Sequence, residues 1–295
     1  MVIVLFFVAL LAFVLMRLSP GDPVRMYLPE DAPEAAVEEM REKLGLNEPY
    51  VTQFFRYIND LLHGDLGTSI TYRKAIWPMI LERLPTTAKI TLGTVVVGLL
   101  ISIPLGIIAG VNQGGPIDLF AMFFALLGQS MSIVWLGILL VFVFSVILGW
   151  LPAMGDKGFV FYILPSLTLG YPMAAQITRL GRSGMVDVLH EDFIAATRAK
   201  GIPDYLVYSK YAFKNALIPI ITQMGLTIGT YLSGSVVVEQ IFGMAGIGQL
   251  LFTAVGNRDY PLVQSLLVFS AAVFVIVNLI VDIINSIVDP RIKLE

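Results

Sequence analysis

Apolar positions in this chain come in long uninterrupted blocks rather than in alternation. Val2 to Met16 contains no polar residue and is followed by Arg17 and Leu18. A membrane-crossing helix needs roughly 20 apolar residues at a rise of 1.5 Å each, so this block predicts a first, slightly short span over 1–19. A cleaved leader fits less well: the basic start is missing, and Ser19-Pro20-Gly21-Asp22-Pro23 offers no small-x-small cleavage site. Five further blocks predict spans over 86–111, 117–149, 163–181, 215–237 and 262–286. Pro104, Gly106 and Gly110, and then Pro165 and Pro172, lie inside two of them. Such residues suggest bent helices packed around a cavity, where neighbours or water satisfy the freed backbone groups. The 117–149 block is read as one tilted or kinked span, because its polar centre at Gln129 and Ser130 is too short for a surface turn.

Residues 20–85 have a different pattern. A helical run over 32–44 follows Asp31 and ends near Gly45, and a second over 48–63 follows Asn47. The second collects Val51, Phe54, Phe55, Ile58, Leu61 and Leu62 on one face. Gly64-Asp65-Leu66-Gly67 reads as a turn, and 74–84 as a third short amphipathic segment. The expected fold is an all-α polytopic membrane protein with six transmembrane helices. Its parts are a first helix over 1–19, a helical insertion over 20–85 and a core over 86–295.

Composition agrees with this class. The 295 residues are 57% hydrophobic and only 14% charged, with a mean hydropathy of +0.81, against about 25% charged residues in soluble domains. The segment 182–214 carries Arg182, Arg198, Lys200, Lys210 and Lys214, and the tail adds Arg291 and Lys293. The segments 150–162 and 238–261 hold only Lys157 and Arg258. The positive-inside tendency then places 182–214 and both termini in the cytoplasm, and the 20–85 insertion outside.

Several chemistries are missing. There is no cysteine, hence no thiolate metal site or cysteine nucleophile. The two histidines, His63 and His190, fall on opposite sides of the expected membrane, and no His-Glu-x-x-His helix exists. No Gly-x-x-x-x-Gly-Lys-Ser/Thr loop occurs; Gly114-Gly115 and Gly246-Ile247-Gly248 lack the lysine and read as turn or packing glycines. No cofactor, metal or nucleic-acid partner is expected on this chain. An ion-coupled secondary transporter usually shows internal repeats and charged midplane residues. Neither stands out, and that class is kept as the alternative.

The 182–214 segment carries the most information. Glu191 and Asp192 start a short helix over 191–200, and Arg198 and Lys200 end it, an order that complements the helix dipole. Gly201 supplies a left-handed cap, Pro203 forbids continuation, and Asp204 can cap a second short helix over 205–213. The pattern suits either a helix lying in a partner's groove or a connector lying on lipid headgroups.

Residues 193–204, Phe-Ile-Ala-Ala-Thr-Arg-Ala-Lys-Gly-Ile-Pro-Asp, resemble the cytoplasmic coupling loop of bacterial ABC-importer permeases, whose pattern is Glu-Ala-Ala, three residues, then Gly. Here Gly201 is the glycine, Ala196 and Thr197 take the two small positions, and Ala195 stands where the general pattern has Glu. That departure is similar to the dipeptide/oligopeptide branch, which also includes nickel, metal-chelator and glutathione importers. Arg17–Pro23, Leu44–Pro49, Gly64–Ser69, Leu148–Pro152, Ile163–Gly170, Val238–Phe242 and Arg258–Gln264 also resemble that branch, in order and spacing. The resemblance implies a permease in the bacterial cell membrane, paired with a homologous second permease, two ATPase subunits holding ATP and magnesium, and an external substrate-binding protein. It implies ATPase coupling through Phe193, Ile194, Ala195, Ala196, Thr197, Arg198, Lys200, Gly201, Pro203, Asp204 and Tyr205. Peptides are the expected cargo.

Polar residues inside spans are candidates for the pathway, because such groups are costly unless they face water or a partner. Gln129, Ser130, Gln176, Gln223, Thr227 and Tyr231 qualify, each with an interhelical hydrogen bond as the plainer reading. Arg179 and Arg182 read as anchors at the end of the fourth span, and Asp282 as locally paired. The glycine-rich segment 238–261 could form a re-entrant cap at an outer gate, with Glu239, Arg258 and Asp259 meeting the binding protein. Arg258 and Asp259 suit a local ion pair equally well.

Overall fold

The structure is a computed structural model that describes residues 2–18, 24, 33–43 and 46–288. The expected cap at Asp31, the exit motif at 19–23, the helix end at Gly45 and the tail cations Arg291 and Lys293 lie outside those residues. Among the described residues the fold is helical, apart from one antiparallel bridge between Thr68 and Ala75.

Helix α1 (Val2–Leu18) is followed by α2 (Glu34–Lys43) and α3 (Tyr50–Leu62). The predicted turn after α3 is real, with Gly64 and Gly67 at φ of +77° and +76°. The expected boundary at 85/86 is not. The amphipathic segment near 74–84 is the first third of α4 (Ile76–Val111), a single 36-residue helix that runs through Pro85 and Pro104. Proline fixes φ near its helical value, so it can sit within a helix that packing holds together on both sides.

The 117–149 block breaks in two. Helix α5 (Pro116–Ser130) and helix α6 (Ile133–Leu140), which continues as a π-helical stretch over Val141–Ile147, meet at 104°. This is far more than a kink: Met131 and Ser132 are both extended, at ψ of 135° and 134°, which turns the chain without a proline. A short 3₁₀ turn (Phe159–Tyr162) leads into α7 (Ile163–Leu189). Helix α8 (Asp192–Ala199) matches the first expected short helix. The second is not separate. A turn at Asp204–Leu206 passes through a π-helical stretch (Val207–Ala212) directly into α9 (Phe213–Leu232). After Ser233 and Gly234 come α10 (Val236–Ile241), α11 (Ile247–Gly256) and the long α12 (Tyr260–Val288).

By length and composition α4, residues 159–189 and residues 260–287 can cross a membrane, and the bent α5–α6 pair would make a fourth crossing. Helix α1 has 17 residues, about 25 Å, against a hydrocarbon core of about 30 Å. Helix α9 has 20 residues but carries Lys214, Asn215, Thr222, Gln223 and Thr227, which dilute its apolar character.

Helices α4 and α7 form the centre and run parallel. Along the seam Gly93 faces Ser166, Gly98 faces Met173, Gly106 faces the backbone of Gly181, and Gly110 faces Met185. Small residues at successive crossings let two apolar helices approach closely, where packing replaces the missing hydrophobic drive. A Cβ on Gly110 would stand 2.5 Å from the Met185 Cβ, so this seam tolerates nothing larger. Apolar clusters follow the seam from one end to the other. Ile76, Ile80, Ile247, Leu250, Leu262 and Leu266 join α4, α11 and α12 at one end, and Met185, Ile194, Val207, Ala212 and Ala216 close the other.

Candidate coupling corner, polar cavity and buried-acid hairpin

Helix α8 buries one side and offers the other. Ile194 is 1% exposed and Thr197 9% exposed. Ile194 joins Met185, Val207, Ala212 and Ala216, with Ile107, Val111 and Val188 packed around them. The helix is thus seated on the ends of α4 and α7 and on the start of the long helix that becomes α9. The Thr197 hydroxyl donates to the Phe193 carbonyl at 2.7 Å. Phe193, Ala195, Ala196, Arg198, Lys200, Gly201, Pro203, Asp204 and Tyr205 are exposed. The expected coupling set therefore divides. Ile194 and Thr197 face inwards and hold the corner on the spans, so they are corrected from contact residues to seating residues. The apolar stripe needed for seating points away from the surface open to a partner.

The corner is shaped by its own residues. Gly201 has φ of +76° and its amide donates to the Arg198 carbonyl at 2.9 Å. The Arg198 Nε donates to Asp204 at 3.2 Å, and its guanidinium lies over the Tyr208 ring at 5.8 Å. Arg198 and Asp204 thus bridge the glycine turn from either side.

A second feature is an open cavity of about 530 Å³ between α5, α7 and α9, lined by Met122, Gln129, Gln176, Arg179, Leu180, Arg182, Ser183 and Gln223. Gln223 donates to the Gln176 side chain at 3.1 Å, and Arg179 donates to the Gln129 side-chain oxygen. Three of the six expected pathway residues therefore converge, from three different helices. Thr227 lies beside them: its hydroxyl accepts from the Gln223 side chain at 3.5 Å and donates to the Gln223 carbonyl at 2.9 Å. Ser130 and Tyr231 do not join: the Ser130 hydroxyl donates to the Leu126 carbonyl one turn back at 2.8 Å, and Tyr231 packs on the cluster around Val238 and Phe242. Arg179, expected to be an anchor, belongs to the cavity. Arg182 is no lipid anchor either: it pairs with Asp118 of α5 at 2.7 Å, the two side chains being 27% and 5% exposed.

The third feature is the hairpin of α10 and α11. Gly234, at φ +116°, and Gly248 bring the two ends of α10 and α11 into backbone contact; a Cβ on Gly248 would lie 2.6 Å from the Val236 nitrogen. Glu239 is fully buried beneath. Its carboxylate accepts from the Thr87 hydroxyl at 2.8 Å and the Gln249 amide at 2.8 Å, while the Thr87 oxygen accepts the Ile247 amide at 2.9 Å. Burial pushes the Glu239 carboxyl above the usual carboxylate range, against the pull of these donors and of the Gly248 and Ser235 amides. Asp259 is equally buried. It accepts from the Ser69 hydroxyl and from the amides of Ile70, Thr71 and Leu262 at 3.2, 3.0 and 3.3 Å. Neither acid is placed to touch a partner directly, which corrects the expectation for both. The local pair of Asp259 with Arg258 does not form: Asp259 binds the 69–71 turn 190 positions away. Arg258 is exposed with φ of +54°.

Sequence reasoning missed Thr87, Asp118 and the role of Arg182. A buried threonine at a span's start gives no periodic signal, and an ion pair 64 residues apart has no local spacing to betray it.

The family described as "Binding-protein-dependent transport system inner membrane component" matches residues 102–294, and its N-terminal companion matches residues 1–91. The glutathione transport system permease proteins GsiC of Escherichia coli K12 and of Pectobacterium atrosepticum are each 39% identical over 289 residues, covering 98% of this chain and 94% of the relative. Two inward-facing crystal forms of the MetNI methionine ABC transporter share the fold. Their TM-scores are 0.58 and 0.56 at 20% and 17% identity, over 72% of this chain and 96% of theirs.

Proposed function

Because the chain belongs to the inner-membrane-component family of binding-protein-dependent transport systems, we propose that it forms, with a homologous second permease, the passage for short peptides handed over by an external binding protein. It is a multi-pass membrane component of an ABC importer in the peptide, nickel and glutathione group. In this reading six helices cross, both termini and α8 are cytoplasmic, and two separate ATPase subunits bind ATP and magnesium.

The observation that carries the reading is the corner at 192–206. Its exposed side is flat and small at Ala195 and Ala196, flanked by Phe193 and Tyr205, the kind of surface that fits another protein's groove. Its buried side is fixed to α4, α7 and α9 through Ile194, so a pull on α8 moves the spans instead of bending a loop. Rigid-body movement of packed helices is how small displacements at one site open or close another. The Gln129, Gln176, Gln223 and Arg179 cavity supplies amide donors and acceptors suited to a peptide backbone, and one cation suited to a carboxylate.

Proteoliposomes carrying the complete transporter, given binding protein and ATP, are expected to accumulate labelled di- and oligopeptides, and to stop when either is withheld. Accumulation that persists without the ATPases and collapses with the proton gradient would assign the chain to ion-coupled transporters. Glutathione is the second reading, favoured by the names of the relatives. It would show as glutathione outcompeting ordinary peptides in the same assay, and a nickel or metal-chelator cargo as metal accumulation that peptides fail to inhibit.

A further inference from the structure

Helix α3 has one apolar half, and only part of it is covered. At 100° per residue, Phe54 and Leu61 lie at one edge of that half and Val51, Phe55, Ile58 and Leu62 at the other, while Thr52, Arg56 and Asn59 fall on the opposite half. The first edge is packed. The Phe54 ring meets Phe6 and Phe13 of α1 edge to face, with centres 5.7 and 5.2 Å apart. The second edge is open: Val51, Phe55 and Leu62 are 66%, 65% and 81% exposed. Their stripe follows helical spacing, which makes it a continuous surface and not a set of scattered apolar side chains.

The Phe54 contacts give that surface a depth. Phe13 and Phe6 stand five and twelve residues before the end of α1 at Leu18, about 8 and 18 Å along it. The hydrocarbon core is about 30 Å thick, so a ring that touches both residues reaches well into its outer half. Exposed Phe7, Leu11 and Val14 of α1 border the same level. The far end of α3 is tied down as well, since the Leu66 carbonyl in the following turn accepts the Ser265 hydroxyl of α12 at 2.8 Å. Helix α3 is therefore fixed against two apolar helices and is no free arm in the water. A soluble partner approaches from the side of Thr52, Arg56 and Asn59; the open stripe faces the other way, beside α1.

We propose that α3 is an interfacial helix seated in the outer leaflet of the membrane, with Val51, Phe55, Ile58 and Leu62 against lipid acyl chains and Thr52, Arg56 and Asn59 towards the external water. The proposal rests on the reading of α1 as a span with Leu18 at its outer end. It makes the bilayer itself the support for the insertion between α1 and α4.

The test uses the complete transporter in liposomes, with cysteine-free partner subunits and one spin-labelled cysteine at a time. Labels on Val51→Cys, Phe55→Cys and Leu62→Cys are expected to collide more with oxygen than with a water-soluble nickel chelate. Labels on Thr52→Cys and Asn59→Cys should invert that ratio. Leu11→Cys on α1 is the reference. A water-exposed label at Leu11 would overturn the reading of α1 as a span; a lipid-exposed label there beside water-exposed labels at 51, 55 and 62 would overturn the proposal alone. Labels at 51, 55 and 62 shielded from both agents, with or without the binding protein, would mean that protein covers the stripe and would also overturn it. Retention of the ATPases on purification shows that each variant is assembled. In the unlabelled wild type, a phospholipid with a photoactivatable acyl chain should mark residues 51–62 as strongly as residues 7–14, and no marking of 51–62 would contradict the proposal.

Discussion

Arg182 grips Asp118 through both carboxylate oxygens, Nε to Oδ1 at 2.9 Å and Nη2 to Oδ2 at 2.7 Å. The Gly114 amide adds a third bond to the same carboxylate at 2.9 Å. The pair fastens the start of α5 to α7 at the edge of the polar cavity, so the cavity's wall depends on it. Removing one member strands the other charge where water reaches it poorly. Arg182→Gln or Asp118→Asn is expected to cost about 2–4 kcal/mol, below the fully buried case because Arg182 is partly exposed. The check is a double-mutant cycle on thermal stability of the purified transporter: the combined variant should lose clearly less than the sum, and additive losses would contradict the pairing.

Gly201 acts through conformation, not size. At φ of +76° with nothing within 4 Å of an added Cβ, any L side chain carries the left-handed penalty of about 1–2 kcal/mol. Gly201→Ala and Gly201→Phe should therefore impair ATP-driven uptake to a similar degree, and Gly201→Asn less. A normal Ala variant beside an inactive Phe variant would instead mean that a partner presses directly on this position.

Glu239 holds the α10–α11 hairpin from beneath. Glu239→Ala leaves the Thr87 hydroxyl and the Gln249 amide without their buried acceptor, a loss of about 1–3 kcal/mol for each stranded group. Amide hydrogen exchange over 234–256 should accelerate while exchange in α7 stays as it was. Unchanged exchange in the hairpin would show that glycine packing alone maintains it.

Of the two arginines lining the polar cavity, Arg182 is paired with Asp118 and Arg179 forms no ion pair among the described residues. Arg179→Glu is expected to reduce uptake of peptides with a free carboxylate, and of glutathione, far more than uptake of amidated peptides. Since Arg179 is exposed to solvent in the cavity, the effect should weaken as ionic strength rises. Equal loss for all cargo would make Arg179 a structural residue.

The parts of this fold that were legible in the sequence are those set by local pattern. The long apolar blocks gave α4, α7 and α12, and the glycine and proline after Lys200 gave the corner at 201–203. Gln129, Gln176 and Gln223 were readable as polar residues in apolar helices, although not as neighbours. What periodicity could not supply was direction. Ile194 and Thr197 share an exposed-looking helix with Ala196, and only the cluster around Met185 decides which side is buried. The polar centre at Gln129 and Ser130 marked where the 117–149 block bends, but not how sharply: the 104° break is made by two extended residues, Met131 and Ser132, neither of them proline or glycine. Glu239 and Asp259 looked like surface acids in a loop. Their partners Thr87 and Ser69 lie more than 150 residues away, a distance over which spacing carries no information.

If an ATPase subunit holds α8, the absence of cysteine from this chain makes that contact directly measurable. Ala196→Cys and Phe193→Cys, placed on the exposed side of α8 in the assembled transporter, are predicted to crosslink to the ATPase subunit. Ile194→Cys on the buried side should not. Labelling of Ala196→Cys by a membrane-impermeant maleimide added outside intact cells, with no crosslink to the ATPase, would contradict it.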